Sequence, residues 1–111
     1  MEKNNIVLTE AVFYTLLALH QPLHGYGIMQ ATERMSNGRL KLSAGTLYGA
    51  LSSILDKGWI IELPGDKGSR KKEYKITELG KEIAKTELLR LEELIENGKK
   101  IINNNSSQFI S

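Results

Sequence analysis

Between Ser43 and Ile76 the hydrophobic rhythm of the chain changes once, from a helical repeat to a strand repeat, and the change falls on one glycine. Ser43 is a favoured helix N-cap. Leu47, Leu51, Ile54 and Leu55, with Ala44 ahead of them, recur at helical spacing and predict a helix ending near Lys57. Gly58 stops it. Trp59-Ile60-Ile61-Glu62-Leu63 reads as a strand, and Pro64-Gly65 followed by Asp66-Lys67-Gly68-Ser69 as turn chemistry. Lys71-Lys72-Glu73-Tyr74-Lys75-Ile76 reads as the returning strand, with Tyr74 and Ile76 on one face. A helix leads straight into a hairpin.

The segments on either side complete a recognisable order. Thr9 to His20 is a helical pattern with two apolar stripes, Val12, Leu16 and Leu19 beside Phe13 and Leu17. An arc that wide exceeds the needs of one core contact. Gln21-Pro22-Leu23-His24-Gly25 breaks it. Tyr26 to Ser36 is a second helix with Ile28, Ala31 and Met35 on one face, ended by Asn37-Gly38, residues that accept the left-handed conformation. Arg39-Leu40-Lys41-Leu42 alternates and reads as a short strand. Thr77 caps a long last helix. The expected fold is mainly α with a small β-hairpin: a winged helix-turn-helix over residues 1–77, a C-terminal dimerisation helix over 78–102, and a polar tail over 103–111 expected to be disordered.

In 111 residues there is room for one domain and one extra helix. The absence of cysteine excludes disulfides, Cys-ligated zinc and thiol catalysis, and fits a reducing compartment. Met1 to Asn5 lacks the apolar region of a signal peptide, and Ala11 to Leu19 is far shorter than the ~20 residues that cross a bilayer. The expected location is cytoplasmic, with no membrane contact.

Net charge is only +2, but its distribution is uneven. Residues 37–76 hold eight Lys or Arg (Arg39, Lys41, Lys57, Lys67, Arg70, Lys71, Lys72, Lys75) against four acids, while each flank is slightly acidic. A basic middle third is the footprint expected of a nucleic-acid binder. The third helix agrees. Ser43 to Leu55 are thirteen residues without a charge. Its outward positions, Gly45, Thr46, Tyr48, Gly49, Ser52 and Ser53, are small or hydroxylated. Carboxylates there would be repelled by phosphates, small groups let a backbone approach base edges, and hydroxyls bond bases or phosphates. Two glycines cost the helix roughly 0.8–1 kcal/mol each, which asks for a reason. Close approach of DNA is one; room for neighbouring helices is the other. The hairpin cations, Lys67, Arg70 and Lys71 among them, suit phosphates or the minor groove, or else protect a strand edge from aggregation. Thr46 and Tyr48 are the expected readers of sequence.

Leu23-His24-Gly25-Tyr26-Gly27, Leu42-Ser43-Ala44-Gly45-Thr46-Leu47-Tyr48, Gly58-Trp59-Ile60 and Arg70-Lys71-Lys72-Glu73-Tyr74-Lys75-Ile76-Thr77-Glu78-Leu79-Gly80 together resemble the PadR-type transcriptional regulators of the short subclass with one C-terminal helix. The resemblance spans roughly Leu8 to Ile95. It implies a homodimeric repressor, often released from its operator by a small molecule. It also implies DNA contacts from Tyr26, Ser43, Thr46, Tyr48, Arg70 and Lys71. The chain departs from the family pattern at Gly49, where Pro is usual, and at Ser52 and Ser53, where a basic residue is common.

Along the last helix, Ala84, Leu88, Leu91, Ile95 and Ile102 form a heptad seam with Gly98 at the missing step. Leu79 and Ile83 can anchor the helix to the domain. The remaining seam has nothing left in the chain to cover it. Four large apolar side chains are worth about 6–12 kcal/mol if buried. A second copy, joined also by Phe13 and Leu17, is the expected partner; folding back onto its own domain is the alternative. A two-fold pair sets two third helices about 34 Å apart on duplex DNA and calls for a near-palindromic operator. A small hydrophobic or aromatic effector would sit between the first helix and the last, near Phe13, Tyr14 and Leu88.

No catalytic or metal constellation is visible and no cofactor is expected. His20 and His24 are separated by Pro22. Gly25-Tyr26-Gly27 lacks the strand and third glycine of a dinucleotide fingerprint, and Gly65 to Ser69 lacks the spacing of a phosphate loop. Glu92 and Glu93 read as solvated. The competing readings are a winged-helix protein-interaction module and a small-molecule-binding protein without specific DNA binding.

Overall fold

A computed structural model of the chain describes residues 6–65 and 71–104. Helix α1 spans Glu10–Ala18, strand β1 Leu23–His24, helix α2 Gly25–Met35, helix α3 Ala44–Asp56, strands β2 Ile60–Leu63 and β3 Glu73–Ile76, and helix α4 Glu78–Ile102. All four helices start on a side-chain cap, which satisfies one of the N–H groups that a first turn leaves without an acceptor. Thr9, Ser43 and Thr77 accept from the residue three positions on, and at α2 the imidazole of His24 does the same for Gly27.

The strands form one antiparallel sheet in the order β1-β3-β2. Ile60 faces Ile76 and Leu63 faces Glu73 in the hairpin, while Leu23 faces Tyr74 across the other edge. One expectation is corrected here. The short strand that joins the hairpin is Leu23–His24, not Arg39 to Leu42. The segment from Arg39 is held by other means. The Ser36 hydroxyl accepts from Leu40 N–H at 2.9 Å, the Arg39 guanidinium is paired to Glu10 of α1, and Leu42 drops onto the core. Asn37 and Gly38 do take positive φ, at 56° and 84°.

Leu16, Leu19, Ile28, Leu47, Leu51, Ile54, Trp59, Ile60, Tyr74, Ile76 and Ala84 make one core. On α2 the inward row is Ile28, Thr32 and Ser36; Met35, expected there, stands outside it and is exposed. Ala44 likewise begins α3 on the exposed side. Gly80 is where α4 meets the hairpin. A Cβ there would lie 2.1 Å from the Trp59 carbonyl oxygen and 2.7 Å from Ile76 Cγ1, so only glycine lets the helix backbone seat this closely.

Helix α4 has two unlike halves. Its first three turns pack on α1 and β3 and bury Gly80, Ala84 and Glu87. Glu87 is only 3% exposed yet charged. Arg90 meets it with two hydrogen bonds of 2.8 and 2.6 Å, and the Leu8 N–H donates to it at 3.4 Å. Those bonds from Arg90 hold the Glu87 carboxyl below the usual range and outweigh the opposite push of burial. From Glu92 to Ile102 no residue is buried. The radius of gyration is 17.1 Å, against about 13 Å for a compact domain of this size.

Candidate nucleic-acid interface

Helix α3 turns Leu47, Leu51 and Ile54 inward, which fixes the opposite face outward. Ser43, Gly45, Thr46, Tyr48, Gly49, Ser52 and Ser53 are all exposed. A Cβ on Gly45 or Gly49 would meet nothing within 4 Å. Packing against neighbouring helices of the same chain therefore does not explain these two glycines.

The hydroxyls on this face are not equivalent. Ser43 Oγ accepts from Thr46 N–H at 3.1 Å and donates to Thr46 Oγ1 at 3.0 Å. Thr46, already an acceptor, is left to donate its own proton outward. Ser53 accepts from Lys57 Nζ at 3.1 Å. Ser52 makes no hydrogen bond to a described residue.

Beside α3 lies a cleft of about 340 Å³ lined by His24, Gly25, Tyr26, Tyr48, Lys71, Lys72 and Tyr74. It is assembled from three places in the sequence: the start of α2, the middle of α3 and the approach to β3. The Tyr48 ring lies against Gly25, where a Cβ would come within 2.2 Å of Tyr48 Oη. Tyr26, at the first turn of α2, is well exposed. Lys72 Nζ is 3.2 Å from Glu62 of the neighbouring strand. The expected DNA residues Tyr26, Tyr48 and Lys71 thus converge here, and Ser43, Gly45, Thr46 and Ser52 line the adjoining α3 face. Lys67 and Arg70 lie outside the described residues. His24, Gly25 and Tyr74 were not singled out as contacts from the sequence, whereas Lys72 was among the hairpin cations expected on phosphates. The Leu23-to-Gly27 run was the available signal, but only the β1–β3 pairing brings it beside Tyr74.

A second groove, of about 480 Å³, runs between α1 and α4 and shares no lining residue with the first. Phe13, Leu17, Ala84 and Leu88 form its apolar lining, with His20, Lys81 and Lys85 completing it. Ala84 is already covered within the chain, so it belongs to the domain core rather than to an uncovered seam. Leu88, Ile95 and Ile102 are exposed and Leu91 half-buried, and Leu94 and Ile101 extend the same apolar arc. Tyr14 stands instead beside Arg39. Among the described residues no three His, Cys, Asp or Glu side chains come together to hold a metal. No helix there is long and apolar enough to cross a membrane.

The model of the transcriptional regulator PadR-like family matches residues 14–86, which run from α1 into α4. The chain belongs to that family. PadR-like proteins are transcriptional regulators rather than enzymes, and the winged helix described above is their fold. A transcriptional regulator from Clostridium thermocellum is 26% identical, with a TM-score of 0.64 over 85% of this chain and 89% of that one. A PadR family transcriptional regulator from Eggerthella lenta superposes with a TM-score of 0.70 at 21% identity, covering 82% of this chain and 80% of the other. A PadR family regulator from Clostridium difficile is 22% identical, with a TM-score of 0.53 over 92% and 98% of the two chains. No curated protein sequence matches this PadR-like chain.

Proposed function

We propose that this PadR-like regulator acts in the cytoplasm as a homodimeric repressor of a near-palindromic operator and is released by a small hydrophobic or aromatic effector. The uncharged outer face of α3, with two glycines over open space, is the observation that carries the reading. It is shaped for a major groove, where Gly45 and Gly49 admit the backbone and Thr46 presents a donor to base acceptors. Ser43, Ser52 and Tyr26 flank it. Lys67, Arg70 and Lys71 of the wing supply phosphate contacts that raise affinity for any duplex.

The exposed arc of α4 supports the dimer. A second copy that covers Leu88, Leu91, Ile95 and Ile102, with Phe13 and Leu17 at the near end, removes apolar surface that the chain itself leaves in water. The α1–α4 groove supports the effector site, since a ligand seated there would touch both the domain and the dimer helix.

The test separates reading from holding. Fragments of the host genome selected by the protein give the operator. The Thr46→Ala variant is expected to relax sequence choice at one position by about 1–3 kcal/mol while binding random duplex as before. Removing Arg70 and Lys71 is expected to weaken binding to every sequence and to lower the salt slope by about 0.9 per lost phosphate contact. Both variants showing the same loss would overturn the division of roles, and no binding to any duplex at low salt would overturn the function.

A further inference from the structure

Arg39, Leu40, Lys41 and Leu42, on the way from α2 to α3, form no strand, yet each is anchored. Arg39 reaches α1. Its Nη1 donates to Glu10 Oε1 at 3.0 Å and its Nη2 to Glu10 Oε2, and Tyr14 stands beside the same guanidinium. Leu40 N–H donates to the buried Ser36 hydroxyl at 2.9 Å. Lys41 Nζ lies 4.0 Å from Glu33 of α2, and Leu42 packs on the core. Ser43 then caps α3. Leu42, just before that cap, and Leu47, the fourth residue of the helix, both join the core, and such a pair sets the angle at which a chain enters its helix. Of the polar ties just named, the one from Arg39 to Glu10 alone leaves the α2–α3 unit, and it bridges 29 positions of sequence. Both of its partners are well exposed, where an ion pair adds little stability. A guanidinium fork on a carboxylate nevertheless fixes direction as well as distance.

We infer that Glu10 and Arg39 are positioning residues for operator reading: their pair ties the connector to α1 and holds α3 at the angle at which Gly45, Thr46 and Gly49 meet base edges. This deepens the operator-binding reading and rests on it. Reading bases needs α3 in one orientation, because hydrogen bonds to base edges are short and directional. Phosphate contacts from the wing tolerate a looser helix, since attraction between charges falls off slowly with distance. The pair therefore acts on the choice of sequence rather than on general affinity. A connector fixed before DNA arrives also has less freedom to lose on binding. The competing role for Arg39 is a direct phosphate contact, and the two roles give opposite signs when Glu10 is removed. A freed phosphate-binding Arg39 strengthens binding to every duplex, whereas an unfastened connector weakens binding to the operator alone.

The experiment compares the full-length wild type with Glu10→Ala, which removes no cation, and with Arg39→Lys, which keeps the charge and loses the fork. Affinities are measured for the selected operator and for a random duplex at low salt. Glu10→Ala is expected to lose roughly threefold to tenfold per half-site on the operator, about the cost of immobilising one more side chain on binding, and to hold its affinity for random duplex. Arg39→Lys is expected to fall between it and the wild type in operator-to-random ratio. Amide exchange in the free protein gives a second readout. Leu40 N–H should exchange faster in Glu10→Ala, while Leu51 N–H in the buried row of α3 should not change. The inference is overturned if Glu10→Ala leaves the ratio unchanged, or binds both duplexes more tightly, which would make Arg39 a phosphate contact. It is equally overturned if Leu51 exchanges faster along with Leu40, since the pair would then hold the whole domain rather than the connector. Wild-type protein that ignores all duplexes would instead sink the DNA reading beneath it.

Discussion

Helices α3 and α4 both carry glycines, and they use them in opposite ways. Gly80 at the foot of α4 is crowded, since any Cβ would strike the Trp59 carbonyl and Ile76. Gly45 and Gly49 on α3, and Gly98 on the far half of α4, have nothing within 4 Å. A crowded glycine is explained by the fold around it. An open one inside a helix lowers stability, and no described residue packs against it; under the proposed function its reason is a surface that arrives from outside. On α3 the surroundings are hydroxyls and nearby lysines, which suit a polyanion. On α4 they are Leu94, Ile95, Ile101 and Ile102, which suit another apolar helix.

The contrast can be broken at its crowded end first. Gly80→Ala is expected to destabilise the protein by about 3 kcal/mol, because a backbone carbonyl rather than a flexible side chain stands in the way. Chemical denaturation measures this, and a neutral result would mean that α4 does not seat as tightly as Gly80 implies. Glu87→Ala, at the last buried turn before α4 leaves the domain, should cost about 2 kcal/mol by freeing Arg90 and Leu8 N–H. The pH dependence has a definite sign. A carboxyl whose folded value is lowered stabilises fully above its ordinary unfolded value, about 4.3, and that contribution fades as pH falls through the lowered one. Stability of Glu87→Ala followed from pH 7 into acid should therefore converge on that of the parent.

The open ends give smaller effects of mixed sign. Replacing Leu88 or Ile95 with Ala is expected to weaken self-association by about 1–2 kcal/mol each, seen by sedimentation, and operator binding with it. Gly45→Ala and Gly49→Ala should each raise thermal stability by about 0.8–1 kcal/mol while reducing affinity for the operator. Stabilisation without any loss of binding would show that open space on α3 is not kept for DNA. The same substitution at Gly98 sharpens the other half: a more stable helix and a weaker dimer are expected together.

Much of this was readable in the residues. The caps at Ser43 and Thr77, the stop at Asn37-Gly38 and Gly58, and the hairpin from Trp59 to Ile76 depend on local backbone chemistry, which acts over three or four positions. The outward face of α3 follows from its inward one. The third strand did not show itself that way. Leu23–His24 is two residues long and has no alternation, and it is a strand only because β3 offers it an edge. Arg39 to Leu42 has the alternation and lacks the edge. Glu87 was equally silent, although it sits on the apolar arc between Ala84 and Leu91 with Arg90 three residues on. Burial of a charge depends on what the rest of the fold brings to it.

The sequence by itself therefore determined the order of the four helices and the hairpin, the charge-free helix and the family, because each is written in near-neighbour spacing. Only the tertiary structure decided that Gly45 and Gly49 face open space while Gly80 is pinned. It also drew Tyr26, Tyr48 and Tyr74, from a helix start, a helix middle and a strand, together around one cleft. Those are contacts between distant parts of the chain, and their distances are fixed by packing rather than by sequence separation.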